Sequence, residues 1–177
     1  MVNRTNGPKR PSAIAYHDSL AREWTSRYRG RGFQRRLECF REIIRRSSSV
    51  GERWLDLGCG SGVLTVELLN CGVSRVVAID AAPRMLEYGA RSVGDEFRNK
   101  VEWINADVED TTFLTPGSFD GVLCSSVIEY VEHPTKVVRG IARALRNGGR
   151  FVVSIPPQRS LVRALQKAVG HAFGDLH

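Results

Sequence analysis

The chain has 177 residues, of which 42% are hydrophobic and 25% charged, with a formal net charge of +7. That length suits one domain with a core of its own, and the proportions are those of an ordinary folded, water-exposed protein. No run approaches the roughly 20 apolar residues that a membrane span needs, and no apolar stretch follows the amino-terminal charges as a secretory leader would require.

Residues 1–50 carry 12 Lys and Arg against 4 Asp and Glu, so all of the excess positive charge lies there. Residues 1–11 are polar and predict a disordered tail. Lys9-Arg10-Pro11 interrupts the amphipathic pattern that a mitochondrial leader would need. Ser12 is placed to cap a helix through Ile14, Leu20, Trp24 and Tyr28, ending near Gly30. A second helix runs from about Phe33 to Arg46, with Phe33, Leu37, Phe40, Ile43 and Ile44 on one face and arginines on the other. Those arginines read first as the solvated face of helices, and second as a surface for RNA or another anionic partner.

The core is expected over 51–158, and it begins with the stretch on which the chain is organised. Trp54-Leu55-Asp56-Leu57 is a short apolar run, Gly58-Cys59-Gly60-Ser61-Gly62 alternates glycine with small residues, and Val63 to Leu69 has helical spacing. Strand, tight turn and helix follow one another, so the turn brings a backbone that can approach a ligand to the start of a helix. A dinucleotide site would want G-x-G-x-x-G and a pyrophosphate at the helix start. Here the spacing is G-x-G-x-G with Asp56 two residues ahead of the first glycine, a carboxylate that disfavours phosphate and suits a positive ligand.

Leu55-Asp56-Leu57-Gly58-Cys59-Gly60-Ser61-Gly62 resembles motif I of the class I S-adenosylmethionine-dependent methyltransferases. The resemblance implies a Rossmann-like α/β doubly wound domain with strand order 3-2-1-4-5, S-adenosylmethionine as cofactor, and cofactor contacts from Asp56, Leu57, Gly58, Cys59 and Gly60. It also implies that the helices over 12–50 form a lid, making Tyr16, His17, Trp24 and Tyr28 candidate contacts.

Arg75 to Asp80 reads as a buried parallel strand ending in an acid 22 residues after Gly58. A carboxylate there can accept both ribose hydroxyls of a nucleoside. Pro83 opens the next helix, and the resemblance sets Ala81 and Met85 against an adenine. Val101 to Ile104 is the third strand, and the resemblance gives Asp107 and Val108 the adenine edge. Asp107 is followed by Glu109 and Asp110, so a solvated acidic turn is the other reading.

Ser118 to Ser126 resembles the family's motif IV on the fourth strand, with Cys124 and Ser125 at the cofactor. Its end lacks the Asp/Asn-Pro-Pro-aromatic run of amine methylation and the Pro-Cys of cytosine methylation, which leaves the small-molecule branch. Glu129, Tyr130 and His133 stand just beyond, at the strand end where such sheets bind ligands, and are the candidates for a base. His133 has the ordinary pKa best suited to that role.

Lys136 to Arg146 predicts an amphipathic helix stopped at Asn147-Gly148-Gly149, and Arg150 to Ile155 the fifth strand. Residues 159–177 suggest one more helix. No strand-like run follows Ile155, so the sixth and seventh strands of the family are missing from the sequence. The exposed edge of the fifth strand then calls for a dimer partner or the remainder of a longer chain. Cys39, Cys59, Cys71 and Cys124 are scattered, without zinc spacing, which predicts a reduced, cytoplasmic setting and no metal. The predicted activity is methylation of a small molecule on oxygen, carbon or nitrogen. RNA methylation through the arginine-rich segment and cofactor binding without catalysis are the rival readings.

Overall fold

A computed structural model describes residues 2–3, 11–21 and 30–155. Trp24, Tyr28 and the helix expected over 159–177 lie outside the described residues. The described elements run β1 (Val2–Asn3), α1 (Pro11–Ser19), α2 (Arg31–Ser47), β2 (Arg53–Leu57), α3 (Val63–Asn70), β3 (Arg75–Asp80) and α4 (Pro83–Ser92). After a 3-10 turn at Asp95–Lys100 come β4 (Val101–Asn105), β5 (Phe119–Ser125), a second 3-10 turn at Ile128–Tyr130, α5 (Pro134–Ala144) and β6 (Leu145–Ser154).

All pairings are parallel, in the order β1-β4-β3-β2-β5-β6. Strands β2 to β6 form the expected 3-2-1-4-5 sheet. Beyond β4, Val2–Asn3 pairs with Ile104 and Asn105, a short edge strand inside the segment predicted to be a disordered tail. Backbone pairing needs no apolar side chains, so polar residues there gave no warning of it.

The central strands are buried on both faces, which is why they read as continuous apolar runs. Leu55, Leu57, Val77, Ile79, Val122 and Cys124 point to one side and pack with Val137, Ile141 and Ala144 of α5. Trp54, Val76 and Leu123 point to the other, against Leu37, Phe40 and Ile44 of α2 and Leu64 and Leu68 of α3. Each fully buried Val, Leu, Ile or Phe among them contributes about 1.5–3 kcal/mol. Trp54 lies across the strand beside it, and a Cβ on Gly121 would fall 2.3 Å from its ring.

Helix α5 ends earlier than the sequence predicts. Gly117 N–H donates to the Arg143 carbonyl at 2.9 Å, and Leu145 pairs with Phe119. Sheet pairing therefore takes the chain out of the helix at Ala144, and Gly148, at φ 75°, lies within the irregular start of β6 rather than at a helix stop. Among the described residues no helix is long and apolar enough to cross a membrane.

Candidate cofactor and substrate site

The carboxyl ends of β2, β3 and β5 meet around the glycine loop. Gly58, Gly60 and Gly62 all have positive φ, at 75°, 54° and 77°, a conformation that side chains with a Cβ resist. Space is also short: a Cβ on Gly58 would strike Val127 and one on Gly62 would strike Trp103.

Four of the five amides of this loop are already engaged. Gly58 and Cys59 N–H donate to the Ile79 carbonyl at 2.8 and 2.9 Å, and Gly62 N–H to the Cys59 carbonyl at 3.0 Å. Gly60 N–H donates to Asp80 Oδ2 at 2.8 Å. A phosphate cradle depends on free, convergent N–H groups. Here the loop offers backbone surface without that nest, which agrees with a ligand lacking phosphate.

Asp56 sits beneath the loop, 1% exposed, and accepts the Thr65 hydroxyl at 2.6 Å. The sequence suggested a carboxylate at the mouth; burial instead pushes its carboxyl up to about 7, with neighbouring Asp80 adding to the rise. Asp80 is also shifted upward by burial, opposed by N–H donors from Ala82 and Gly60 and by His17. Its Oδ1 accepts Ala82 N–H at 2.8 Å. Asn105 reinforces this corner, its Nδ2 donating to the carbonyls of Asp80 and Ala81 at 3.0 and 3.1 Å. Nothing in the sequence singles Asn105 out.

Met85 is buried against Ala82 and Ala21, while the Leu57 side chain faces the core and leaves only backbone for a ligand. Asp107 Oδ1 accepts Glu109 N–H at 2.9 Å, shaping the turn that carries Val108. Cys124 is fully buried, and its thiol is pushed up to about 12 by burial, Asp56 and Glu129. Its side chain belongs to the core.

Arg36, on α2, reaches the ends of β5 and β6. Its Nη2 donates to Ser125 Oγ at 2.7 Å, to Ser154 Oγ at 3.1 Å and to Ser126 Oγ. Ser154 Oγ in turn accepts Ser126 N–H at 2.8 Å. A guanidinium held by three neutral hydroxyls at a ligand edge is ready to meet an anionic group.

The three candidate bases separate. Glu129 lies near Cys124, and its buried Oε2 has no hydrogen-bond partner. Tyr130 is 46% exposed and meets His17 of α1 edge-on, ring centroids 5.8 Å apart. His133 is the N-cap of α5 and lines a different cleft, with Thr111, Lys136 and Arg139. Helix α1 is docked by Asp18, which accepts Arg84 N–H at 2.8 Å, and just beyond it Ala21 packs with Ala82 and Met85. The helix thus lies beside the cradle; the Tyr16 side chain is not among the described ones. Among the described residues no His, Cys, Asp and Glu cluster could hold a metal ion.

The profile of the methyltransferase domain family matches residues 55–153. A ubiquinone biosynthesis O-methyltransferase of Xanthomonas oryzae pv. oryzae is 38% identical over 112 residues, covering 63% of this chain and 46% of that protein. The mitochondrial ubiquinone biosynthesis O-methyltransferase of Schizosaccharomyces pombe is 32% identical over 133 residues, 73% of this chain and 47% of its own. The chain thus spans about half the length of these relatives. A solved S-adenosylmethionine-dependent methyltransferase of Mesorhizobium loti is 29% identical, with a TM-score of 0.56 over 63% of this chain and 50% of that one. A Methanococcus maripaludis structure has the same fold at 16% identity and a TM-score of 0.63, covering 97% of this chain and 77% of the other.

Proposed function

This chain belongs to the methyltransferase domain family, in its class I S-adenosylmethionine-dependent form, and from that premise we propose that it methylates an oxygen of a small-molecule acceptor. The observation that carries the proposal is the pairing of a glycine loop that has four of its five amides engaged with an unpartnered buried carboxylate oxygen, Glu129 Oε2. The cofactor brings an ammonium, ribose hydroxyls and an adenine amino group, and the carboxylates of Asp80 and Asp107 suit the ribose hydroxyls and the adenine amino group. When bound, S-adenosylmethionine supplies a methyl group already activated on a sulfonium, so the protein contributes alignment and exclusion of water.

Asp80 orients the ribose, Asp107 and Val108 read the adenine edge, and Arg36 beside Ser125 holds the cofactor's carboxylate. Glu129 Oε2 takes the acceptor's hydroxyl proton as the oxygen is methylated. His17 and Tyr130 give the entrance an aromatic wall that suits a planar phenolic acceptor. The relatives named as ubiquinone biosynthesis O-methyltransferases support oxygen as the acceptor atom. The RNA reading is weaker, because Arg41 is engaged by Glu67 and Arg45 and Arg46 by Glu42.

The test is formation of S-adenosylhomocysteine by the 177-residue chain with a panel of catechols and phenols, beside a parallel panel of RNAs. Turnover confined to the phenols supports the proposal. Cofactor binding by a folded chain without turnover on any acceptor overturns it in favour of a binding module, and turnover on RNA overturns the choice of acceptor.

A further inference from the structure

Outside the cofactor cradle, α5 and the loop after β4 enclose a cleft of about 510 Å³, lined by Thr111, Thr112, His133, Thr135, Lys136, Arg139, Gly140 and Arg143. That volume falls within the range of small-molecule sites, roughly 300–1,000 Å³. Its floor is built by close packing: a Cβ on Gly140 would fall 2.0 Å from Thr111 Oγ1, so glycine alone lets the loop rest on the helix. Arg143 Nη2 donates to the Thr111 carbonyl at 2.8 Å, which fixes its guanidinium at the cleft.

The charge is one-sided. Lys136, Arg139 and Arg143 follow at three- and four-residue spacing, on the face of α5 opposite the buried Val137, Ile141 and Ala144. Neither Lys136 nor Arg139 has an ion-pair partner among the described residues, and Arg143 meets only a neutral carbonyl. Elsewhere Arg41, Arg84, Arg91, Arg98, Arg146 and Arg150 each sit on a carboxylate. No carboxylate lines the cleft. Of the nearby acids, Glu109 accepts the N–H groups of Glu132 and His133, Asp110 accepts the N–H and hydroxyl of Thr112, and Glu132, exposed beside His133, is not part of the lining. Like charges at this spacing repel, and an anion between them turns the repulsion into attraction.

The geometry points to a second binding site in this cleft, for a phosphate-bearing ligand held by Lys136, Arg139 and Arg143 with the threonine hydroxyls around it. The phosphate belongs either to a soluble phosphorylated molecule or to a lipid headgroup. This site is independent of the methyl-transfer reading.

The test titrates the full chain calorimetrically with inorganic pyrophosphate and sediments it with phosphatidylglycerol or phosphatidylcholine vesicles, using wild type, Arg139→Gln and Arg91→Gln. Saturable pyrophosphate binding weakened about tenfold in Arg139→Gln and unchanged in Arg91→Gln supports a soluble ligand. Sedimentation with phosphatidylglycerol alone, lost in Arg139→Gln only, supports the headgroup. Binding of neither probe, or equal weakening in both variants, overturns the site. Arg139 is exposed, and its removal leaves the buried face of α5 intact, so the variant retains the fold; circular dichroism verifies this.

Discussion

Gly60 and Asp80, 20 residues apart, are joined by a 2.8 Å hydrogen bond from the glycine N–H to the carboxylate. One side chain thereby fixes the glycine loop and, through Oδ1, the turn after β3. Asp80→Ala frees both amides and, on the proposed reading, removes the acceptor for ribose hydroxyls. S-adenosylhomocysteine affinity should fall about 10- to 100-fold, the range expected for a charge-assisted bond. Calorimetric titration beside circular dichroism separates loss of the ligand contact from loss of the fold. Unchanged affinity in a folded Asp80→Ala chain would remove Asp80 from the site.

Trp103 occupies the room that two glycines leave. A Cβ on Gly89 would come within 2.8 Å of its ring and 3.2 Å of the Ser61 backbone, and one on Gly62 within 2.6 Å of the ring. Gly89→Ala should therefore destabilise the chain by about 1–3 kcal/mol, as overpacking does. Gly89→Ala combined with Trp103→Phe should cost less than the two changes added separately, because the smaller ring relieves the clash. Denaturant melts of the four proteins give the coupling, and strict additivity would contradict the contact.

Arg36→Gln keeps a hydrogen-bond donor near Ser125 and Ser154 but removes the charge. If Arg36 holds the cofactor's carboxylate, KM for S-adenosylmethionine should rise by about tenfold or more. Adenosine, which lacks the carboxylate, should bind wild type and variant alike. Equal loss for both ligands would mean that Arg36 serves the fold instead.

The sheet was legible because buried parallel strands are written as apolar runs, and the resemblance carried by Leu55 to Gly62 directed attention to the loop and to Asp80, which the structure joins by a hydrogen bond. Arg36 was not legible. It stands among many arginines, and its partners lie 89 to 118 residues away. Asn105 was hidden for a similar reason, since its task is to clamp backbone carbonyls brought beside it by strand pairing. Of the candidates beyond β5 the sequence favours His133 over Glu129, on ordinary pKa alone. A 3-10 turn carries Glu129 toward Cys124 while the start of α5 carries His133 to the outer cleft. The early end of α5 was also tertiary in origin, set where Leu145 pairs with Phe119.

Glu129 Oε2 is a buried acceptor without a donor, an arrangement that costs free energy until something fills it. In Glu129→Gln the shape is kept and the basic oxygen lost. The predicted outcome is a fall in kcat of about 10²–10⁴, typical for a general base, with little change in KM for the cofactor. A more acidic phenol needs the base less and should recover part of the loss. A variant that loses cofactor affinity while kcat holds would assign Glu129 to the cofactor's ammonium.

Asp56 makes the pocket sensitive to pH. Its carboxyl is raised from an ordinary 3.8 to about 7, chiefly by burial. Between those values the folded chain holds a proton that the unfolded chain has released, so stability falls as pH rises through this window and levels off above about 7. Asp80 is shifted the same way and adds to the slope, while Glu52, lowered overall by Trp54, Ser49 and Arg150 donors against its own burial, acts oppositely below its ordinary value. Asp56→Asn removes one part of the slope. Melting temperatures of wild type and variant should lie close at pH 5 and diverge by pH 8, the variant higher by ~2–4 °C per kcal/mol of difference. A cationic ligand favours the ionised carboxylate, so S-adenosylmethionine binding should release a proton and tighten from pH 6 to 8. S-adenosylhomocysteine, without the sulfonium charge, should show a shallower dependence. Calorimetry in two buffers of different ionisation enthalpy counts the proton. Parallel slopes for wild type and Asp56→Asn, in both melting and binding, would place the titrating group elsewhere.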